Sequence, residues 1–163
     1  MSAEIPAFER VMSRLDYPMF IVTAAAGQDR AGCLVGFASQ VSIQPRRFLV
    51  CLSEKNFTFR VALRADALAV HPVPDGANEL ADLFGGETGD DTDKFARWPW
   101  RPGPMGTPIL DGVDGWFAGK ILGREDFGDH TGFVLEPIDA GEGQINETLG
   151  LREAKSIEPG HES

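Results

Sequence analysis

Gly32-Cys33-Leu34-Val35-Gly36-Phe37-Ala38-Ser39-Gln40-Val41-Ser42-Ile43-Gln44-Pro45 is apolar, rich in small residues and closed by a proline. Its β-branched Val41 and Ile43 predict a strand over 32–45 that exits into a turn, and RFLVCLS (47–53) behind it reads as a second, buried strand. Upstream, YPMFIVTAAAG (17–27) predicts a buried strand ending in a turn at Gly27–Arg30. Downstream, ALAVHPV (67–73), WFAGKILGRE (116–125) and HTGFVLEPI (130–138) have strand character. Three short helices punctuate this pattern. Residues 5–15 carry Phe8, Val11, Met12 and Leu15 at helical spacing; NFTFRVALRA (56–65) opens on the N-cap residue Asn56; and 77–86 is stopped by glycines. There is no βαβ alternation and no internal repeat. The expectation is a mainly β fold: a small antiparallel barrel of about six strands with short helical appendages.

Residues 87–108, with Trp98, Trp100 and four prolines, read as a long excursion, either close to a functional site or a surface flap whose tryptophans cover core or a partner. From Asp139 onward the composition turns polar. That predicts one domain over residues 1–140 and an arm or frayed tail over 141–163.

Composition excludes several classes. The chain has 163 residues, the size of one ordinary domain, and 42% hydrophobic residues, enough for one core. Nineteen glycines and eleven prolines favour strands and turns over a helical bundle. A net charge of −10 argues against a nucleic-acid surface, which needs clustered Lys and Arg. No apolar run approaches the ~20 residues that cross a bilayer. The start MSAEIPAFER has no signal-peptide core, so a cytoplasmic protein with reduced thiols is expected. Cys33 and Cys51 form no CxxC pair, and His71, His130 and His161 lack metal-ligand spacing, so no metal site is expected. The sequons at Asn56 and Asn146 carry no weight without a secretory route.

Dinucleotide-binding GxGxxG, phosphate-loop GxxxxGK[ST] and nucleophile-elbow GxSxG motifs are all missing. Asp90, Asp91 and Asp93 lack calcium-loop spacing and read as a solvated loop. Three segments remain. The small-residue strand ends in Ser39-Gln40-Val41-Ser42, where main-chain groups can approach a flat ligand. Ser53-Glu54-Lys55-Asn56-Phe57-Thr58 opens a helix whose first N–H groups, lysine charge and Asn/Thr side chains suit a phosphate. Gly128-Asp129-His130 then enters a strand.

In this order, Gly32 through Val41-Ser42-Ile43-Gln44-Pro45, Asn56-Phe57-Thr58, Lys94-Phe95 and Gly128-Asp129-His130 resemble the flavin reductase-like family, with its FMN-binding split β-barrel. The resemblance covers roughly residues 8–138. It implies that a reduced nicotinamide, NADH or NADPH, delivers hydride to N5 of bound FMN, or of FAD. It further implies main-chain contacts to the flavin ring from Val35, Gly36, Phe37, Ala38, Gln40, Val41 and Ser42. The phosphate would be held by Lys55, Asn56 and Thr58, with Ser53 also among the cofactor-binding residues, and His130 would border the nicotinamide. Homodimers with the flavin near the seam, and a monooxygenase partner receiving reduced flavin, are implied as well. Two features depart from the family: Val35-Gly36-Phe37 stands where Ala/Val-Ser-Ser is common, and His71 replaces an Asn. Backbone contacts to the ring survive the first change, whereas hydroxyl contacts do not. The other activities left open are a non-catalytic flavin- or haem-binding carrier and a deazaflavin-dependent oxidoreductase.

Overall fold

A computed structural model describes residues 4–143, 148–155 and 157; Asn146 and His161 lie outside the described residues. Its centre is a seven-stranded antiparallel sheet in the order β2-β1-β5-β8-β9-β4-β3. The strands are β1 (Phe20–Ala26), β2 (Asp29–Val35), β3 (Ala38–Ser42), β4 (Arg47–Ser53), β5 (Ala67–Pro72), β8 (Gly115–Asp126) and β9 (His130–Glu142). The sheet curls until its edge strand β2 comes against β4, the neighbour of the other edge strand, β3. Gly36-Phe37 links the edge strands β2 and β3, with no ladder between them. The Cys51 N–H donates to the Phe37 carbonyl at 2.9 Å, so the chain has already docked on β4 as it leaves β2. This is a barrel split along one seam.

The expected single strand over 32–45 is therefore two strands, β2 and β3, broken at Gly36-Phe37. The break crosses the seam, a long-range feature that a continuous run of small apolar residues does not announce. β1 is buried on both faces. Phe20, Val22 and Ala24 enter the barrel interior with Leu52, Val70 and Phe133, while Met19 and Ile21 face a second core outside it. Helix α2 (Phe57–Ala62) packs Val61 and Ala62 into the interior. Helix α3 (Asn78–Gly86) packs Leu80, Leu83 and Phe84 into the outer core. Helix α1 (Pro6–Met12) buries no residue.

The 87–108 excursion has structure of its own. A 3-10 turn at Lys94–Ala96 leads into a two-stranded ribbon of β6 (Trp100–Pro102) and β7 (Pro108–Leu110). The ribbon lies across β1 and β5. The Thr23 hydroxyl donates to the Pro108 carbonyl at 2.6 Å, and the Leu110 N–H donates to His71 Nε2 at 3.2 Å. Lys94 is 4% exposed and turns its ammonium inward onto the Gly32 and Phe84 carbonyls at 2.8 and 3.1 Å. Gly32 is required at its position for packing: a Cβ there would lie 2.7 Å from the Phe84 ring.

β9 runs through Glu142, past the boundary expected at 140, and Thr148–Lys155 return to the body of the domain. The Leu149 N–H donates to Val73 O and the Met19 N–H to Leu149 O, both at 2.8 Å, and Leu149 is buried. The Leu151 N–H donates to Tyr17 O at 2.8 Å, and the Arg152 N–H to Asp16 Oδ1 at 3.0 Å. These bonds begin the short helix α4 (Leu151–Ala154) and hold the Asp16 carboxyl below its ordinary pKa. Asp16 sits so close that a Cβ on Gly150 would meet its Oδ2 at 2.6 Å.

Candidate functional site

A cavity of about 430 Å³ opens at the seam between β2 and β4, within the range of small-molecule and cofactor sites. One wall is β2 and its link: Cys33, Val35, Gly36 and Phe37. Edge strands present main-chain groups that no neighbouring strand takes up, so this wall can hydrogen-bond a flat ligand through its backbone. The opposite wall is β4, with Cys51, Leu52 and Ser53, continuing to Asn56. The back is Phe84 and Gly85 of α3. Burial pushes both the Cys33 and Cys51 thiols up, so they stay protonated and act as apolar lining.

His130 stands at the mouth. It pairs with Ser53 across β4 and β9, which brings an imidazole and a hydroxyl to the same end of the sheet. Its Nδ1 lies 2.7 Å from Asp129 Oδ1, and this hydrogen bond holds the Asp129 carboxyl below its usual range. The ring packs on Phe37, with centroids 5.1 Å apart and planes at 55°. With Nδ1 committed to Asp129, Nε2 is the nitrogen left to face a ligand.

Of the residues singled out in the sequence, Val35, Gly36, Phe37, Ser53, Asn56 and His130 come together on this cavity. Ala38 turns toward the barrel core. Gln40, Val41 and Ser42 lie farther along β3, outside the lining; the Gln40 amide donates to Ser42 O at 3.1 Å. Lys55 is exposed beside the cavity, and its charge helps to lower the Asp129 pKa. Thr58, in the first turn of α2, is 1% exposed, and its N–H donates to Asn56 Oδ1 at 2.9 Å. Of the three residues expected at the phosphate only Asn56 reaches the lining, together with Ser53.

Other lining residues were not singled out. Glu87 enters from the start of the excursion, where Arg97 Nη1 grips both its oxygens at 2.7 Å. The tryptophans of the excursion lie elsewhere: Trp98 Nε1 donates to Asp111 O, and Trp100 packs on Phe95 and under Arg30. The returning arm contributes Leu151, Ala154, Lys155 and Ile157. The one signal for it is the apolar set Leu149, Leu151 and Ile157 in an otherwise polar tail. Among the described residues no group of three His, Cys, Asp or Glu side chains is placed to hold a metal ion, and no helix is long and apolar enough to cross a membrane.

Residues 12–153 match the family described as flavin reductase like domain. The chain belongs to the flavin reductase-like family. Among flavin reductase-like relatives, one named FMN reductase (NADH) RutF, from Methylorubrum extorquens, is 32% identical over 133 residues. That match covers 79% of this chain and 64% of the relative, so the chain spans just under two thirds of that protein's length. A protein of the same name from Ancylobacter novellus is 29% identical over 153 residues, covering 91% of this chain and 84% of its own. The crystal structure of a flavin reductase domain protein from Arthrobacter superposes with a TM-score of 0.80 at 25% identity, covering 89% of each chain. The split barrel is thus the fold of the flavin reductase-like proteins.

Proposed function

We propose that this protein is a flavin reductase that binds FMN, or FAD, and reduces it with NADH or NADPH. The observation that carries the reading is the cavity at the seam, with main-chain edges along one side, an apolar interior and a polar mouth. Its volume suits a flavin ring, and Val35, Leu52 and the protonated thiols supply a dry surface for it. Gly36 and Phe37 offer backbone where relatives of the family use hydroxyl side chains, so the ring is held by the main chain. Ser53 and Asn56 supply polar contacts at the open end. When bound, the flavin supplies the redox chemistry by accepting a hydride; the protein's part is to bind, orient and exclude water. His130, fixed by Asp129 and Phe37, offers Nε2 to orient the nicotinamide.

The names of the curated relatives support FMN and NADH as the pair. We propose further that the protein is a cytoplasmic homodimer that supplies reduced flavin to a monooxygenase. The exposed apolar faces of α1 (Phe8, Val11) and β3 (Val41, Ile43) support the pairing. Flavin specificity is tested by thermal shift of the apoprotein with FMN, FAD and haem. At a hundredfold excess over Kd, the true ligand stabilises by about 2.7 kcal/mol. A shift with haem alone overturns the flavin reading.

The role of His130 has its own test. His130→Ala is expected to raise KM for NADH several-fold while leaving flavin affinity and Tm nearly unchanged. Steady-state kinetics alongside a melting curve distinguish this from a structural role. A joint fall of flavin affinity and Tm assigns the imidazole to packing on Phe37 instead.

A further inference from the structure

Among the described residues, three ionisable side chains besides the two thiols line the cavity: Glu87, His130 and Lys155. Two of them are already partnered inside the protein. Arg97 grips Glu87, and Asp129 accepts from His130. Among the described residues, no ion pair holds the Lys155 ammonium. In a chain of net charge −10, an exposed cation on a cavity wall with no ion pair among the described residues is a local exception.

Its position is built rather than incidental. The arm that carries Lys155 is tied to the domain through Met19, Tyr17 and Val73, and the Asp16 carboxylate receives the Arg152 N–H. The Lys155 N–H closes on Leu151 O at 3.0 Å, so the residue sits one turn beyond that anchor. Leu151, Ala154 and Ile157 complete the wall around it, and Ala154 is buried. Lys55 and Thr58, grouped with a phosphate by sequence, do not reach the lining, which leaves Lys155 as its one lysine.

We propose that Lys155, carried into the cavity by the C-terminal arm, binds a phosphate group of the nucleotide held there. The proposal rests on the reading of this cavity as a nucleotide site. An ammonium meeting a phosphate makes charge-assisted hydrogen bonds, stronger than those of Ser53 and Asn56 alone. The phosphate belongs either to the flavin nucleotide or to the nicotinamide nucleotide, and the two sources give different results.

The test compares the full-length protein with its Lys155→Ala, Lys155→Glu and Lys155→Arg variants. Affinities for FMN and for riboflavin are measured by fluorescence quenching, and KM for NADH by steady-state kinetics. Backbone amide shifts on adding inorganic pyrophosphate are read by NMR at Ser53 and residue 155. If the flavin supplies the phosphate, Lys155→Glu weakens FMN binding tenfold or more and riboflavin binding less than twofold, and Lys155→Arg restores it. If the nicotinamide nucleotide supplies it, both flavin affinities hold while KM for NADH rises tenfold. Wild-type protein that ignores every flavin but shows pyrophosphate shifts lost in Lys155→Glu refutes the flavin reading and keeps the anion site. Unchanged FMN, NADH and pyrophosphate responses in Lys155→Glu overturn the proposal, as does an equal loss of FMN and riboflavin binding.

Discussion

His71→Phe is expected to destabilise the protein by roughly 2–5 kcal/mol at neutral pH, because it strands two buried main-chain groups. His71 is fully buried, its Nε2 accepts the Leu110 N–H, and so the ring proton sits on Nδ1, 2.9 Å from Ile21 O. One imidazole therefore ties β5 to β1 and to the ribbon strand β7. Phenylalanine fills the space and satisfies neither group. Burial also drives the His71 pKa down to about 4 from 6.5, opposed by the Ile21 carbonyl and assisted by the Arg101 charge. The unfolded chain takes up a proton near pH 6.5, whereas the folded one resists until about pH 4. Stability carried by neutral His71 is thus complete above pH 6.5 and is lost as the pH falls toward 4, by about 3 kcal/mol in all. Urea unfolding at pH 7 and pH 4.5 checks both parts: the gap between wild type and His71→Phe is large at pH 7 and narrows at pH 4.5. A gap independent of pH would contradict the neutral, doubly bonded imidazole.

Phe84→Ala is expected to cost about 3–5 kcal/mol, the range for deleting a large buried aromatic ring. Phe84 is 1% exposed and packs edge-on against Phe95, with centroids 5.8 Å apart. It also lies on Gly32, beneath the Lys94 ammonium, and at the back of the cavity. Because Gly32 and Phe84 share one space, they are expected to couple. Gly32→Ala alone costs about 1–3 kcal/mol by overpacking. In a Phe84→Leu background it costs less, since the shorter side chain yields room. Denaturant melts of the four proteins measure the coupling; additive losses would mean that the close approach is relieved by backbone movement instead.

Much of the frame was legible locally. RFLVCLS is β4 with the same ends, and Asn56 caps α2 through its own side chain, because both signals are complete within a few residues. The break at Gly36-Phe37 was not legible. It is imposed by closure of the barrel, and no turn dipeptide marks it. Site residues followed the same division. Val35, Gly36, Phe37, Ser53, Asn56 and His130 sit on strand ends and a helix start, which sequence pattern locates. Thr58 faces inward because α2 presents that side to the barrel, a matter of helix rotation that Asn56 alone does not determine. The polar composition after Asp139 leaves arm and frayed tail equally open, since the bonds that seat Lys155 join residues more than a hundred positions apart, such as Arg152 to Asp16. The tryptophans of the excursion pack against the outer core, one of the two readings its composition offers, and it is Glu87 at its start that reaches the cavity.

The central claim is that the cavity at the seam holds a flavin for reduction by a nicotinamide. The most direct measurement is the visible absorbance of FMN under anaerobic conditions, with catalytic protein and excess NADH. Many equivalents of FMN are expected to bleach per protein chain, at a rate proportional to protein concentration. FMN that stays oxidised in the presence of NADH, even while bound to the protein, would contradict the account and leave a flavin carrier in its place.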